Sequence, residues 1–126
     1  MLKATEPVER LRKKVLKENL WIFILSLLKN QPRYRYEVKD LIKEKFGFIS
    51  GNVTAYKVLY FLELGRYVKS FDKDGKRYYA ITDSGKEQLK EAERFFHMCS
   101  KMVNSGYKMG YDYAAHKHQR RSGGVS

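Results

Sequence analysis

A chain of 126 residues is long enough to bury a single real core and to carry one appendage. Its 26 Lys and Arg against 14 Asp and Glu give a formal charge of +12, which favours polyanions through counterion release and points to nucleic acid or an anionic membrane surface as partner. A lone cysteine, Cys99, excludes an internal disulfide framework, and the longest apolar run, LWIFILSLL at 20–28, is too short to cross a bilayer and lacks a signal-peptide cleavage site, so a soluble, cytoplasmic protein without a membrane partner is expected.

Residues 6–29 read as helix, with Pro7 well placed at its start. Val8, Leu11 and Val15 recur at helical spacing, and from Leu20 to Leu28 the chain is apolar nearly all round. The first half is therefore an exposed arm and the second a core helix, with Glu18-Asn19 as a break between them. Asn30-Gln31-Pro32 is a stop signal. A second helix over 36–46 presents Val38, Leu41, Ile42 and Phe46 on one face and ends at Gly47. Ser50 or Asn52 caps a third helix that runs to Leu64, with Gly65 as its stop, and Ala55, Val58, Leu59 and Leu62 form its buried face. Two aromatic and β-branched runs, 67–71 and 77–81, flank Asp74-Gly75 and predict a tight hairpin. Thr82 or Asp83 then caps a fourth helix reaching about Asn104, and the Gly-rich, basic stretch 105–126 is expected to be a flexible tail.

A short helix followed at once by a basic hairpin is the plan of a winged helix-turn-helix, which offers one helix to the major groove and a loop to the flanking backbone. The outer face of the third helix presents Asn52, Val53, Tyr56, Lys57, Tyr60 and Glu63. Asn suits adenine, while Tyr and Lys suit phosphates or base edges. Packing of Tyr56 and Tyr60 against the hairpin is the competing use of those rings. The candidate DNA contacts are Asn52, Thr54, Tyr56, Lys57 and Tyr60 on the helix, with Lys69, Lys73, Lys76 and Arg77 on the hairpin. Asp72 and Asp74 offset the hairpin cations in part, and lysines on an exposed strand edge also serve simply to discourage aggregation.

Charge is uneven along the chain: residues 82–104 carry four cations and four anions and are neutral, while every other segment is basic. On this neutral helix Leu89, Ala92, Phe96, Cys99 and Val103 alternate spacings of three and four, and Phe95 and Met102 widen the stripe. A seam of this width predicts a second copy of the chain, with Leu11 and Val15 of the arm sharing the interface; folding back on the same chain's arm is the alternative. An enzyme is not expected. No nucleophile sits in a recognisable motif, and no phosphate-binding loop or paired-carboxylate signature is present. His97, Cys99, His116 and His118 are too scattered for a convincing metal set, and no cofactor is expected.

Three motifs resemble the PadR family of winged-helix transcriptional repressors. Arg35-Tyr36-Glu37 stands where the family has Gly-Tyr-Glu. Tyr56, Leu59, Leu62 and Glu63 match its Tyr-x-x-Leu-x-x-Leu-Glu helix, and Tyr78 to Gly85 matches its Tyr-Tyr-x-Leu-Thr-x-x-Gly junction. The chain departs from that pattern at Arg35 and at Gly51, where Pro is common. The resemblance implies a homodimer joined through terminal helices, Tyr56 and the wing on double-stranded DNA, and in some members a small aromatic or drug-like effector. The expected fold is mainly α (α+β): a helical arm over 1–16, a winged helix-turn-helix over 17–82 with a two-stranded wing, a long dimerisation helix over 83–104, and the tail. Sequence-specific regulation of transcription, as a repressor, is the leading expectation. A DNA-coating architectural protein, or an adaptor for RNA or protein, carries the same charge.

Overall fold

A computed structural model describes residues 6–48 and 50–105. Pro7 sits at the start of helix α1 (Pro7–Glu18), none of whose residues is buried. The helix ends because Asn19 leaves helical geometry, at φ −125° and ψ 40°, and its Nδ2 donates to the Lys14 carbonyl at 3.1 Å. Helix α2 (Leu20–Leu28) starts immediately and supplies Leu20, Ile24, Leu25, Leu27 and Leu28 to the core. The break and the change from exposed arm to core helix fall where the sequence places them.

Past α2 the chain forms a two-residue strand, β1 (Arg33–Tyr34), that no local sequence signal predicts. Arg33 Nε donates to the Leu27 carbonyl at 3.1 Å and so satisfies one of the carbonyls orphaned at the end of α2. Glu37 accepts from the Tyr34 amide at 2.7 Å, which fixes the single 3-10 turn Arg35–Glu37 leading into α3 (Val38–Phe46). Gly47 closes α3 in the left-handed conformation. Helix α4 (Asn52–Leu64) buries Ala55, Leu59 and Leu62, with Val58 half-buried beside them.

Gly65 follows α4, but the left-handed position belongs to Arg66, at φ 65°. The Arg66 and Tyr67 amides return to the Glu63 and Leu62 carbonyls at 2.9 Å each, which is a Schellman closure displaced by one residue from the expected stop. Gly65 has a different reason to be glycine. A Cβ there would lie 2.6 Å from the Tyr67 ring, so it is space rather than backbone freedom that excludes a side chain.

Strands β2 (Val68–Lys73) and β3 (Lys76–Ile81) pair antiparallel around Asp74-Gly75, with Lys73 opposite Lys76 and Phe71 opposite Tyr78. Both turn residues have positive φ, 53° and 74°, the type I′ geometry that matches strand twist and that Asp-Gly adopts readily. β1 adds to the far side of β3, so the sheet order is β1-β3-β2 and the two-stranded wing is anchored by a third strand. One core joins α2, α3, α4 and the sheet; Ile24, Leu25, Val38, Ile42 and Leu59 are fully buried within it.

Thr82 is the cap of helix α5 (Asp83–Ser105): its Oγ1 accepts from the Gly85 amide at 3.1 Å and donates to the Arg66 carbonyl at 2.7 Å. The chain divides into two units, Met1–Ala92 and Glu93–Ser126, and α5 enters the second. No helix among the described residues is long and apolar enough to cross a membrane. The expected tail, with His116 and His118, lies outside the described residues.

Candidate nucleic-acid interface

Helix α4 points Val53, Thr54, Lys57 and Tyr60 away from the core, and all four are exposed. The same outer face continues into Phe61 and Leu64, both more than half exposed. Its polar part is thus confined to the first two turns, and the later turns are apolar. That restriction suits a helix that lies in a groove with its first turns foremost, since recognition helices contact base edges mainly through their N-terminal residues. The side chain of Asn52 lies outside the description.

Tyr56 takes a different position. Its ring meets Tyr36 edge-on, with centroids 5.6 Å apart, and the Arg35 guanidinium lies over it at 4.4 Å. Neither Tyr56 nor Tyr60 has a ring partner on the hairpin among the described contacts; Tyr60 is paired with Phe61 at 5.6 Å. Partial burial and then the neighbouring Tyr36 push the Tyr56 phenol above its ordinary value near 10, so at neutral pH it is a hydrogen-bond donor and carries no charge. Glu63, the last polar residue of the predicted outer face, is occupied by the wing: it accepts from Ser70 Oγ at 2.5 Å.

The wing continues this aromatic contact. Tyr36 meets Tyr34 at 5.4 Å, Tyr34 meets Tyr78 at 5.9 Å, and Tyr78 stacks on Phe71 at 5.7 Å with ring planes 15° apart. Five rings therefore run from α4 across the start of α3 to the outer strand of the wing. Two cations lie on them, Arg35 over Tyr56 and Lys76 over Tyr34 at 4.8 Å. Lys69, Lys73, Lys76 and Arg77 are all exposed. Arg77 is partly engaged within the wing, by Ser70 Oγ at 3.1 Å and Asp72 at 3.5 Å. Lys73 and Lys76 face each other across the turn, an unfavourable pairing of like charges that a phosphate between or above them would relieve.

Among the residues expected at a dimer seam, Leu11 is exposed and Val15 half-buried on α1. Leu89 packs against the core of its own unit, and Ala92 is half-buried. In the second unit Phe95, Phe96 and Met102 are each about 40% exposed, Val103 is 86% exposed, and Cys99 is half-buried.

Residues 24–91 match the transcriptional regulator PadR-like family, a span of more than half the chain. The chain belongs to the PadR-like family of transcriptional regulators. A PadR-like transcriptional regulator from Bacillus cereus is 31% identical, with a TM-score of 0.61, covering 72% of this chain and 93% of its own. A transcriptional regulator from Clostridium thermocellum is 27% identical with a TM-score of 0.65, covering 75% and 99%. A PadR family regulator from Eggerthella lenta, 24% identical, shares the fold with a TM-score of 0.67 over 82% and 94%. Comparison with curated proteins finds no match.

As a PadR-like regulator the protein works by DNA-binding regulation of transcription, and its family is one of regulators rather than enzymes. Two features of this PadR-like surface are not predicted by the sequence patterns: Arg35 lies on Tyr56, and Tyr34 links the start of α3 to the wing. The cluster Tyr34-Arg35-Tyr36 was the available signal, since aromatic and guanidinium groups alternating next to a helix start commonly stack.

Proposed function

We propose that the protein is a homodimeric repressor that reads a specific double-stranded operator. The first turns of α4 lie in the major groove, and the wing tip lies on the flanking backbone. The observation that carries this reading is the facing pair Lys73 and Lys76 at the tip of a hairpin tied to α4 through Glu63–Ser70 and the five-ring chain. Helix α4 has 13 residues and is about 20 Å long, enough to lie in a groove about 12 Å wide with Thr54 and Lys57 towards the bases. Tyr56, a neutral donor steadied by Arg35, supplies a backbone or base contact at the side of the same helix. Arg77 braces the wing through Ser70 and Asp72 and leaves the leading contacts to Lys69, Lys73 and Lys76.

The apolar side chains exposed on α5, Phe95, Phe96, Met102 and Val103, support pairing with a second copy, with Leu11 and Val15 of α1 contributing. Two copies would place two α4 helices on half-sites one helical turn apart and double the contact area on a palindrome. Occupation of such a site within a promoter excludes the transcription machinery, which is the sense in which the protein represses. The test is selection of bound duplexes from a random pool, followed by competition at physiological salt. A sequence-specific regulator binds the selected site about a thousandfold or more above random DNA. A ratio near one would sink the proposal in favour of an architectural coat.

A further inference from the structure

Helix α4 begins without the cap its sequence promised. Its N-cap residue is Gly51, at φ −76° and ψ 156°, which has no side chain with which to bond the first amides. The helix ladder starts with the Ala55 amide on the Gly51 carbonyl, so the preceding N–H groups have no acceptor within the helix. Next to them lies a cavity of about 290 Å³ whose walls are Lys17, Leu20, Phe48, Ser50, Gly51 and Thr54. Ser50 is 8% exposed, and among the described residues its Oγ is the buried side-chain polar atom that lacks a hydrogen-bond partner. The large majority of buried side-chain polar atoms in folded proteins have a hydrogen-bond partner, so this hydroxyl marks a place where a polar group from outside the chain fits.

We propose that this cavity binds a small organic oxyanion, a carboxylate or phosphate ester carrying a compact apolar body. Every polar element of the wall suits negative charge. The open end of a helix is electropositive and offers N–H donors, Lys17 adds an ammonium, and Ser50 and Thr54 add hydroxyls. No carboxylate lines the cavity, which excludes a cation. Leu20 and Phe48 form an apolar wall that neither water nor inorganic phosphate uses. The volume is several times that of a water molecule and close to the lower limit of small-molecule sites. Thr54 belongs both to this wall and to the exposed face of α4. On the reading proposed above, a bound anion therefore adds negative charge beside the face of α4 that the polyanionic duplex approaches and lowers operator affinity.

The experiment uses the full chain labelled with ¹⁵N, without DNA, titrated with butyrate and separately with inorganic phosphate at constant ionic strength. Saturable shifts confined to the amides of residues 50–54 and of the wall residues Lys17, Leu20 and Phe48, tighter for butyrate than for phosphate, are expected. Lys17→Ala weakens binding at least about tenfold, the loss of one charge-assisted contact. Gly51→Asp is the decisive variant. The backbone there suits an N-cap Asp, and an added Cβ meets only Thr54 Oγ1, at 3.9 Å. Its own carboxylate occupies the helix end, so butyrate binding is lost while Tm rises, which separates loss of the site from unfolding. Absent or unsaturable shifts, or shifts unchanged in Gly51→Asp, overturn the proposal. A response to a short duplex with none to either free anion also overturns it and gives the cavity to the nucleic-acid backbone. Because these titrations contain no DNA, failure of the repressor reading leaves them standing. The regulatory consequence is checked separately: butyrate weakens duplex binding by the wild type and not by Gly51→Asp, and equal effects on both would refute the coupling.

Discussion

Replacing Lys73 and Lys76 by alanine separates a DNA-contacting wing tip from an ordinary charged turn. The two residues sit opposite each other next to the Asp74-Gly75 turn, and both are exposed. In the free protein their mutual repulsion opposes the hairpin by a few tenths of a kcal/mol, offset in part by the contact of Lys76 with the Tyr34 ring. Removing both therefore leaves stability unchanged within about 0.5 kcal/mol. On DNA the outcome differs. Each phosphate contact contributes about 0.9 to the slope of log K against log salt, which at physiological salt corresponds to about 1 kcal/mol, or roughly fivefold in affinity. Two lost contacts on each of the two protomers lower the slope of the bound dimer by about 3.6 and its affinity by about 600-fold, nearly equally for operator and random duplex. Fluorescence anisotropy over a salt series, together with urea unfolding of the same variant, measures both. An unchanged slope with unchanged stability would refute the assignment of the wing to the backbone. A fall in affinity accompanied by lost stability would show that the lysines hold the hairpin and do not touch DNA.

Three further variants probe the other parts. Tyr56→Ala with Lys57→Ala removes a donor and a cation from α4 and is expected to reduce the operator-to-random ratio by at least about tenfold in competition binding, each good base contact being worth about 1–3 kcal/mol; an equal loss on both duplexes would show that the helix only positions the protein. Phe96→Asp places a charge in the exposed stripe of α5 and should give a folded monomer in sedimentation velocity, because Phe96 lies outside the buried core; a persistent dimer would refute pairing through this stripe. Gly85→Ala puts a Cβ 2.1 Å from the Tyr67 carbonyl oxygen and 2.8 Å from Ile81, so the junction of β3 and α5 must shift. A loss on the order of 2–3 kcal/mol in urea unfolding is expected, and a neutral result would mean that the junction is looser than its hydrogen bonds imply.

The fold was legible wherever a feature was local or periodic. Leu20 to Leu28 announced a buried helix by being apolar on all sides, and Asp74-Gly75 announced its turn by being one of the few dipeptides suited to two positive φ values. Thr82 announced a cap, because a hydroxyl three residues before the Gly85 amide has little else to do. What escaped depended on partners distant in sequence. β1 is two residues long and exists only because β3 offers an edge 45 residues later, so no periodicity could reveal it. Gly65 looked like the stop of α4 on the general preference for glycine, whereas the left-handed residue is Arg66 and the glycine is fixed by the Tyr67 ring. Ser50 had the chemistry of a cap but is drawn into the interior one residue before the N-cap position.

For the interface, residue type proved easier to read than availability. A helical wheel gives an outer face to Asn52, Tyr56, Lys57, Tyr60 and Glu63 alike, but Glu63 is bonded to Ser70 and Tyr56 is held between Tyr36 and Arg35. Such prior contacts do not remove a side chain from recognition; they change what it contributes. A guanidinium stacked on a ring keeps its in-plane N–H groups free, and an ammonium over a ring keeps its donors on the outer side. Arg35 and Lys76 have thus lost part of their rotamer freedom before any duplex arrives, whereas Lys57, Lys69 and Lys73, exposed and without a ring or carboxylate contact among those described, must still be ordered. Immobilising a long side chain costs about 0.5–1.5 kcal/mol on binding, so the stacked cations offer more net affinity per contact than the free ones. On the proposed reading, Arg35, which takes the place where the family usually has glycine, would be among the best-prepared contacts of the surface, because the same ring that steadies it, Tyr56, lies on the helix proposed to enter the groove.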